Sequence, residues 1–221
     1  MAPTPIYLEV GSKKVFACAL DWPGWCRAAH IEEVAMQALS DYAVRYAEVA
    51  KAAGVRFPPS AGRTFEVVER LAGSTTTDFG APDIPARADA ATLTAAQARR
   101  AAALVEASWS VLEAVAATAP AVLRKGPRGG GRDRDDVVAH VAAAEFAYAR
   151  KIGVRHRAAG DGRDERAAVA ALRADVLAAL RAARSGAPVE ERGWPARYAA
   201  RRIAWHALDH AWEIEDRSTP G

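Results

Sequence analysis

The first third of the chain alternates between apolar and polar positions, a pattern that predicts short β-strands. Residues 6–10 and 15–20 form two such runs, and the Gly-Ser-Lys-Lys sequence between them suits a hairpin turn. Alternate residues from Phe16 to Leu20 would share one face of the sheet. The Trp-Pro-Gly-Trp sequence at 22–25 predicts a turn, because proline fixes its own backbone and glycine permits positive φ.

Residues 31–53 have apolar side chains at helical spacing and predict one long amphipathic helix. Gly54 follows at the position where a helix C-cap belongs. Residues 63–72 alternate again, through Phe65, Val67 and Leu71, and predict a further strand. Residues 1–72 are therefore expected to form a small β-β-α-β domain.

The rest of the chain has the spacing of helices. Residues 73–89 are rich in Gly, Thr, Pro and Asp and predict an interdomain linker, and residues 90–221 then predict a bundle. Thr94 and Gln97 resemble a capping box at the start of its first helix. The four predicted helices cover about residues 94–118, 135–154, 164–184 and from Pro195 onward. The predicted fold class is α+β, a small domain followed by an all-α four-helix bundle.

Composition and charge narrow the class of protein only slightly. The chain of 221 residues is 51% hydrophobic and 26% charged, as in an ordinary globular protein. A net charge of +3 does not by itself indicate binding to nucleic acid. The N-terminus lacks a signal sequence, and the sequence shows no apolar run that we expect to span a membrane, so a cytoplasmic location is predicted.

The two cysteines, Cys18 and Cys26, lack the spacing of a metal or redox motif and are expected to be reduced thiols in a packed strand. Residues 125–134 predict a basic, glycine-rich loop without the Lys-Ser/Thr ending of a phosphate-binding loop. This loop is expected to be a solvated connection, although it could also attract an acidic substrate.

Histidines at helical spacing are the strongest functional signal. His206 and His210 lie four residues apart in the last predicted helix and therefore share one of its faces. His140 lies beside the apolar face of the second bundle helix. Three imidazoles from two helices would leave one tetrahedral position of a zinc ion open, as in catalytic sites. The alternative is that these are hydrogen-bonded core histidines. His30 and His156 do not fit the pattern.

The sequences AHVAAAEFAY at 139–148 and WHALDHAWEIED at 205–216 resemble the DinB/YfiT-like superfamily of metal-binding four-helix bundles. The resemblance covers roughly residues 89–221 and implies a metal triad of His140, His206 and His210. It implies a divalent metal, zinc first and nickel second. It also implies an enzyme that acts with a low-molecular-weight thiol, mycothiol or bacillithiol, on an electrophilic substrate, as in the S-transferases and isomerases of that superfamily.

The order of elements in residues 5–72, with VFACALDWPG at 15–24 and HIEEVAMQALSDY at 30–42, resembles the HicB-like antitoxin domain. That resemblance implies a protein partner such as a small ribonuclease toxin. The DNA-binding segment of such antitoxins does not follow here, so the domain could instead supply a homodimer interface or a wall of the active site. The rival functional hypothesis is a non-enzymatic binding or regulatory protein whose bundle is a scaffold.

Three further residues are candidates near the triad. Arg202 lies one turn before His206 and could contact an anionic substrate. Asp209 and Glu213 could orient the ligand imidazoles, or could form surface salt bridges with Arg202 or Arg217. The sequence indicates no general base. The zinc-protease pattern is absent, since alanine and not glutamate follows His206.

Overall fold

The computed structural model of the protein describes residues 2–126, 130–157 and 164–218. In these ranges it is a mixed α/β protein with a four-stranded sheet and seven helices. The elements in chain order are β1 (Thr4–Val10), β2 (Val15–Ala19), β3 (Cys26–Ala29), α1 (Glu32–Asp41), α2 (Ala43–Ala52), β4 (Phe65–Ala72), α3 (Thr75–Phe79), a 3-10 turn (Arg87–Ala90), α4 (Ala95–Thr118), α5 (Arg134–Arg150), α6 (Glu165–Ala182) and α7 (Ala196–Ser218). Part of the predicted glycine-rich loop, residues 127–129, lies outside the described residues.

The sheet has the order β3-β2-β1-β4, in which β1 pairs antiparallel with β2 and parallel with β4. Strand β3 was not predicted from the sequence. It follows the tight turn in which the amide of Trp25 donates to the carbonyl of Trp22, 3.0 Å away. Gly24 in this turn has φ 92°, and a β-carbon there would lie 2.7 Å from Leu208 Cδ1. The turn is therefore packed directly against α7.

Strand β4 is confirmed, but its apolar residues divide between the two faces of the sheet. A register shift in its pairing with β1 lies between Ile6 and Tyr7. Phe65 and Val67, before the shift, pack with the helices α1 and α2, whereas Leu71 packs on the opposite face. The bulge therefore lets one strand contribute to two cores.

The predicted helix over 31–53 is wrong in its continuity. It is interrupted at Tyr42, where ψ is −1°, and forms α1 and α2. The Tyr42 ring packs edge-on against Trp212 of α7 at 5.0 Å between centroids. The break lets α1 bury Ala35 and Leu39 while α2 buries Tyr46 and its neighbours along a different direction. Gly54 has φ 66°, in agreement with the predicted C-cap.

Helices α4 and α7 belong to two hydrophobic clusters at once. One cluster lies between α4, α5, α6 and α7, and the other lies under the sheet and includes Leu104, Ala107, Leu208 and Trp212. The sheet and the helices thus share core residues. By length and composition α4 could cross a membrane, contrary to the sequence-based expectation, but 39% of its most apolar stretch is buried and a core helix has the same composition.

Residues 73–89, predicted as a linker, contain α3 and lead into the 3-10 turn. The buried carboxylate of Glu9 accepts hydrogen bonds from the Thr77 hydroxyl and from the amides of Asp83 and Ile84. At the far end, Asp89 forms a bidentate ion pair with Arg201 of α7, with N–O distances of 2.6 and 2.5 Å. The segment is therefore fixed to both the sheet and α7.

The predicted start of α4 is confirmed, with Thr94 and Gln97 forming a capping box. Asp133 stands at the N-cap position of α5 but makes no capping bond, because its carboxylate accepts from the amide of Leu123 and the ammonium of Lys125. The α6 N-cap, Asp164, accepts from the amides of Arg166 and Ala167.

Candidate metal centre

Helices α5 and α7 bring His140, His206 and His210 together. The three ring centroids lie 5.1, 5.0 and 4.8 Å apart for the pairs 140–206, 140–210 and 206–210. One ligand atom from each residue can be chosen so that all three lie within 4.8 Å of one another. Residues far apart in the chain thus place three nitrogen donors around one point.

The local sequence explains this placement. Helix α7 is buried along most of its length, so the spacing of four residues places His206 and His210 on one covered face. His206 is only 6% exposed, whereas His210 and His140 are partly buried. On α5, the flanking residues Val137 and Val141 enter the core and set His140 at the edge of the contact with α7. The cluster is therefore closed on the His206 side and more open at His140.

Glu213 orients His210. The His210 Nδ1 atom lies 2.8 Å from Glu213 Oε2, and the other carboxylate oxygen accepts from Arg217 Nη1 at 2.6 Å. Arg217 also donates to the carbonyls of Arg124 and Arg132. If His210 Nδ1 carries the proton that Glu213 accepts, His210 Nε2 keeps a free lone pair, which is the state that a metal ligand needs.

Burial, with the neighbouring charges of His210, Arg202, His140 and Arg132, lowers the pKa of His206 to about 2. Burial and His210 also lower the pKa of His140. Both imidazoles are consequently neutral at pH 7 and can donate a lone pair without first losing a proton.

The donor set fits a divalent transition metal. Imidazole nitrogen suits zinc and nickel, and three such ligands leave a position for a further ligand. His206 Nδ1 is buried without a hydrogen-bond partner among the described residues, which is unusual for a purely structural histidine. Two nitrogens on one tetrahedral zinc ion lie about 3.3 Å apart, given Zn–N bonds of about 2.0–2.1 Å. Small side-chain rotations would close the observed spacing.

Arg202 lies beside the triad in an aromatic setting. Its guanidinium carbon lies 5.1 Å from the Tyr148 ring centroid and 4.7 Å from that of Trp205. The Tyr148 ring in turn lies 5.5 Å from the ring of His206. The contacts of Tyr148 with both Arg202 and His206 could not be predicted from the sequence.

Asp209 does not contact the triad through a hydrogen bond given by the structure. Its carboxylate pairs with Arg27 of β3 at 2.9 Å, and neither Arg202 nor Arg217 is the partner. The Asp209 carboxylate is thus engaged by Arg27, and its expected orienting role stays a prediction. Glu213, by contrast, combines both sequence-based expectations, since it contacts His210 and pairs with Arg217.

The remaining histidines lie elsewhere. His30 contacts the carbonyl of Lys13, and His156 contacts Asp175 of α6 at 2.8 Å. Cys18 and Cys26 are paired residues of β2 and β3, and both are free, buried cysteines.

Comparisons with protein-family models, with curated proteins and with solved structures found no match to this chain.

Proposed function

We propose that the protein is a divalent-metal-dependent enzyme that resembles low-molecular-weight-thiol S-transferases or isomerases. The observation that carries the proposal is the convergence of three imidazoles whose ligand atoms lie within 4.8 Å. The DinB/YfiT-like resemblance of residues 139–148 and 205–216 supplies the reaction class. Zinc is the first candidate for the metal and nickel the second.

His140, His206 and His210 would hold the ion. When bound, a divalent ion lowers the pKa of a coordinated thiol or water and so supplies a nucleophile at neutral pH. Glu213 fixes the ring of His210 through the hydrogen bond at Nδ1. Water is excluded from the buried side of His206, because that residue is itself only 6% exposed. Mycothiol or bacillithiol would be the thiol, and an electrophilic small molecule the acceptor.

Metal content is the first test. Protein purified without chelators or a histidine tag should contain about one divalent ion per chain. The double variant His206→Ala/His210→Ala should lose it. A matched control, His30→Ala/His156→Ala, also removes two imidazoles but leaves the triad intact and should keep the ion. A wild-type protein that is metal-free and cannot be reconstituted with zinc or nickel would refute the proposal.

Thiol transfer is the second test. Loss of free mycothiol or bacillithiol in the presence of electrophilic acceptors should require the metal and the triad. The rival function, a binding protein in which the HicB-like half recognises a protein partner and the helices are a scaffold, predicts no thiol transfer. That second candidate rests on the HicB-like resemblance of residues 5–72.

A further inference from the structure

The triad has little negative charge around it. Its three imidazoles bring none when neutral. Among the described residues, Glu213 is the carboxylate that forms a hydrogen bond with a triad histidine. Its charge is already balanced by Arg217, 2.6 Å away. Asp209 is paired with Arg27. The charge of a divalent ion would therefore remain uncompensated unless the ligand supplied it.

Arg202 adds a buried positive charge without an anionic partner. The residue is 7% exposed, and its Nε and Nη1 atoms are buried with no hydrogen-bond partner in the part of the chain that the structure describes. The contacts with the Tyr148 and Trp205 rings stabilise the charge but engage none of the N–H donors. Buried donors without an acceptor are costly, so an acceptor from outside the chain is expected.

The unpaired N–H donors of Arg202 lie close to the triad. Arg202 precedes His206 by four residues on α7, one helical turn, and both contact the ring of Tyr148. A cavity lined by Arg202, Trp205 and Cys18 has a volume of only about 10 Å³. It holds about one water molecule, so a larger acceptor does not fit there, and the contact that Arg202 and His206 share with the Tyr148 ring points to the triad.

Arg132 adds a second cation at the more open side. It is exposed, and its carbonyl accepts from Arg217 Nη2 at 2.7 Å, which ties its loop to α7. Among the described residues its side chain forms no ion pair that the structure gives. Its carbonyl thus lies beside Arg217, which contacts Glu213, the partner of His210. Two arginines are thus left to bind an anion beside the triad.

We infer that the small molecule bound at the triad carries a carboxylate, and that Arg202, assisted by Arg132, binds it. The substrate class is a thiol with a second anionic group, rather than a neutral thiol, which favours bacillithiol, with its malate carboxylates, over mycothiol, which has none. The planar guanidinium can donate two parallel hydrogen bonds to a carboxylate, which makes Arg202 a determinant of specificity. This inference rests on the proposed function, since it needs a metal at the triad.

The experiment uses the full chain loaded with cobalt(II), whose visible spectrum changes when a thiol binds. Titration with mercaptopropionate and with mercaptoethanol compares a thiol with a carboxylate and a neutral thiol of similar length. We expect mercaptopropionate to bind about tenfold or more tightly in the wild type, as for a charge-assisted hydrogen bond. Arg202→Met should reduce this ratio to within about threefold, and Arg202→Lys should keep part of it. Arg181→Met, on α6, should leave the ratio unchanged.

The outcomes separate the two proposals. A protein that binds no cobalt refutes the proposed function and this inference with it. If the wild-type protein binds cobalt but has equal affinity for both thiols, the inference alone is refuted. This result does not depend on whether any variant folds. A preference retained in a folded Arg202→Met variant also overturns it, and means that a water satisfies Arg202.

Discussion

Breaking the ion pair between Asp89 and Arg201 by removing one partner should be among the most destabilising single substitutions. Asp89 is 1% exposed and Arg201 6% exposed, and the two form bidentate hydrogen bonds of 2.6 and 2.5 Å. Asp89 also accepts from the amide of Ala86 at 2.7 Å. The substitution Asp89→Ala would leave the Arg201 guanidinium buried without a counter-charge.

The expected cost follows from that geometry. Removing one partner of a buried ion pair costs about 3–5 kcal/mol, most of which is the penalty of the charge left behind. For a chain of 221 residues, each kcal/mol lowers Tm by roughly 2–4 °C, so the expected decrease is roughly 6–20 °C. Exposed pairs contribute far less, typically below about 1 kcal/mol.

Urea unfolding and thermal unfolding, both followed by circular dichroism, measure this cost. The double variant Asp89→Ala/Arg201→Met should be more stable than Asp89→Ala alone, because it removes the uncompensated charge. Glu48→Ala is the matched control, since Glu48 pairs with Lys51 while both side chains are more than two-thirds exposed. A loss below about 1 kcal/mol in Asp89→Ala would show that the ion pair is exposed to water, and that residues 73–89 do not hold α7.

Three further predictions follow from the site and from α7. Glu213→Gln should weaken metal affinity by about 10–100-fold in competition with a chromophoric chelator, and unchanged affinity would exclude an orienting role. Gly24→Ala should lower the free energy of unfolding in urea more than Gly54→Ala. Both glycines have positive φ, but only at Gly24 would the added carbon clash, with Leu208 Cδ1 2.7 Å away. Equal losses would contradict the packing of this turn on α7. In the metal-free protein the pKa of folded His206, about 2, lies below the ordinary value of 6.5, so the unfolded chain binds the extra proton and stability falls as pH drops below about 6.5. The added slope is at most about 1.4 kcal/mol per pH unit and should be absent in His206→Gln, as urea unfolding at pH 5 and pH 7 will test.

Periodicity was sufficient for α4, α5, α6 and α7, because each of these helices has its own apolar stripe. Thr94 with Gln97 is also a start signal for α4. Periodicity was insufficient where tertiary contacts decide the local structure. At the interruption, Tyr42 packs against Trp212, which is far away in the chain. Strand β3 is only four residues long and has little alternation of its own.

The candidate site shows the same division between local and distant information. The four-residue spacing of His206 and His210 predicts one face directly, and Glu213 falls within one turn of His210. The partner of Asp209 could not be predicted in this way, since Arg27 belongs to a strand 182 positions earlier. The approach of His140 to the pair also depends on how α5 packs on α7, which spacing does not specify.

The burial of α7 unites these observations. Its residues take part in the bundle core, in the core under the sheet and, through Trp205, in the cluster with Phe16 on the other face of the sheet. A helix covered on so many sides cannot rotate without disturbing each core, so the directions of His206, His210 and Arg202 are fixed by packing. His140 lies on α5, which contributes buried residues only to the cluster between α4, α5, α6 and α7. The His140 side chain is partly buried, whereas His206 is only 6% exposed. The rigid half of the site therefore supplies two donors and the buried cation, whereas the third donor closes it from the open side.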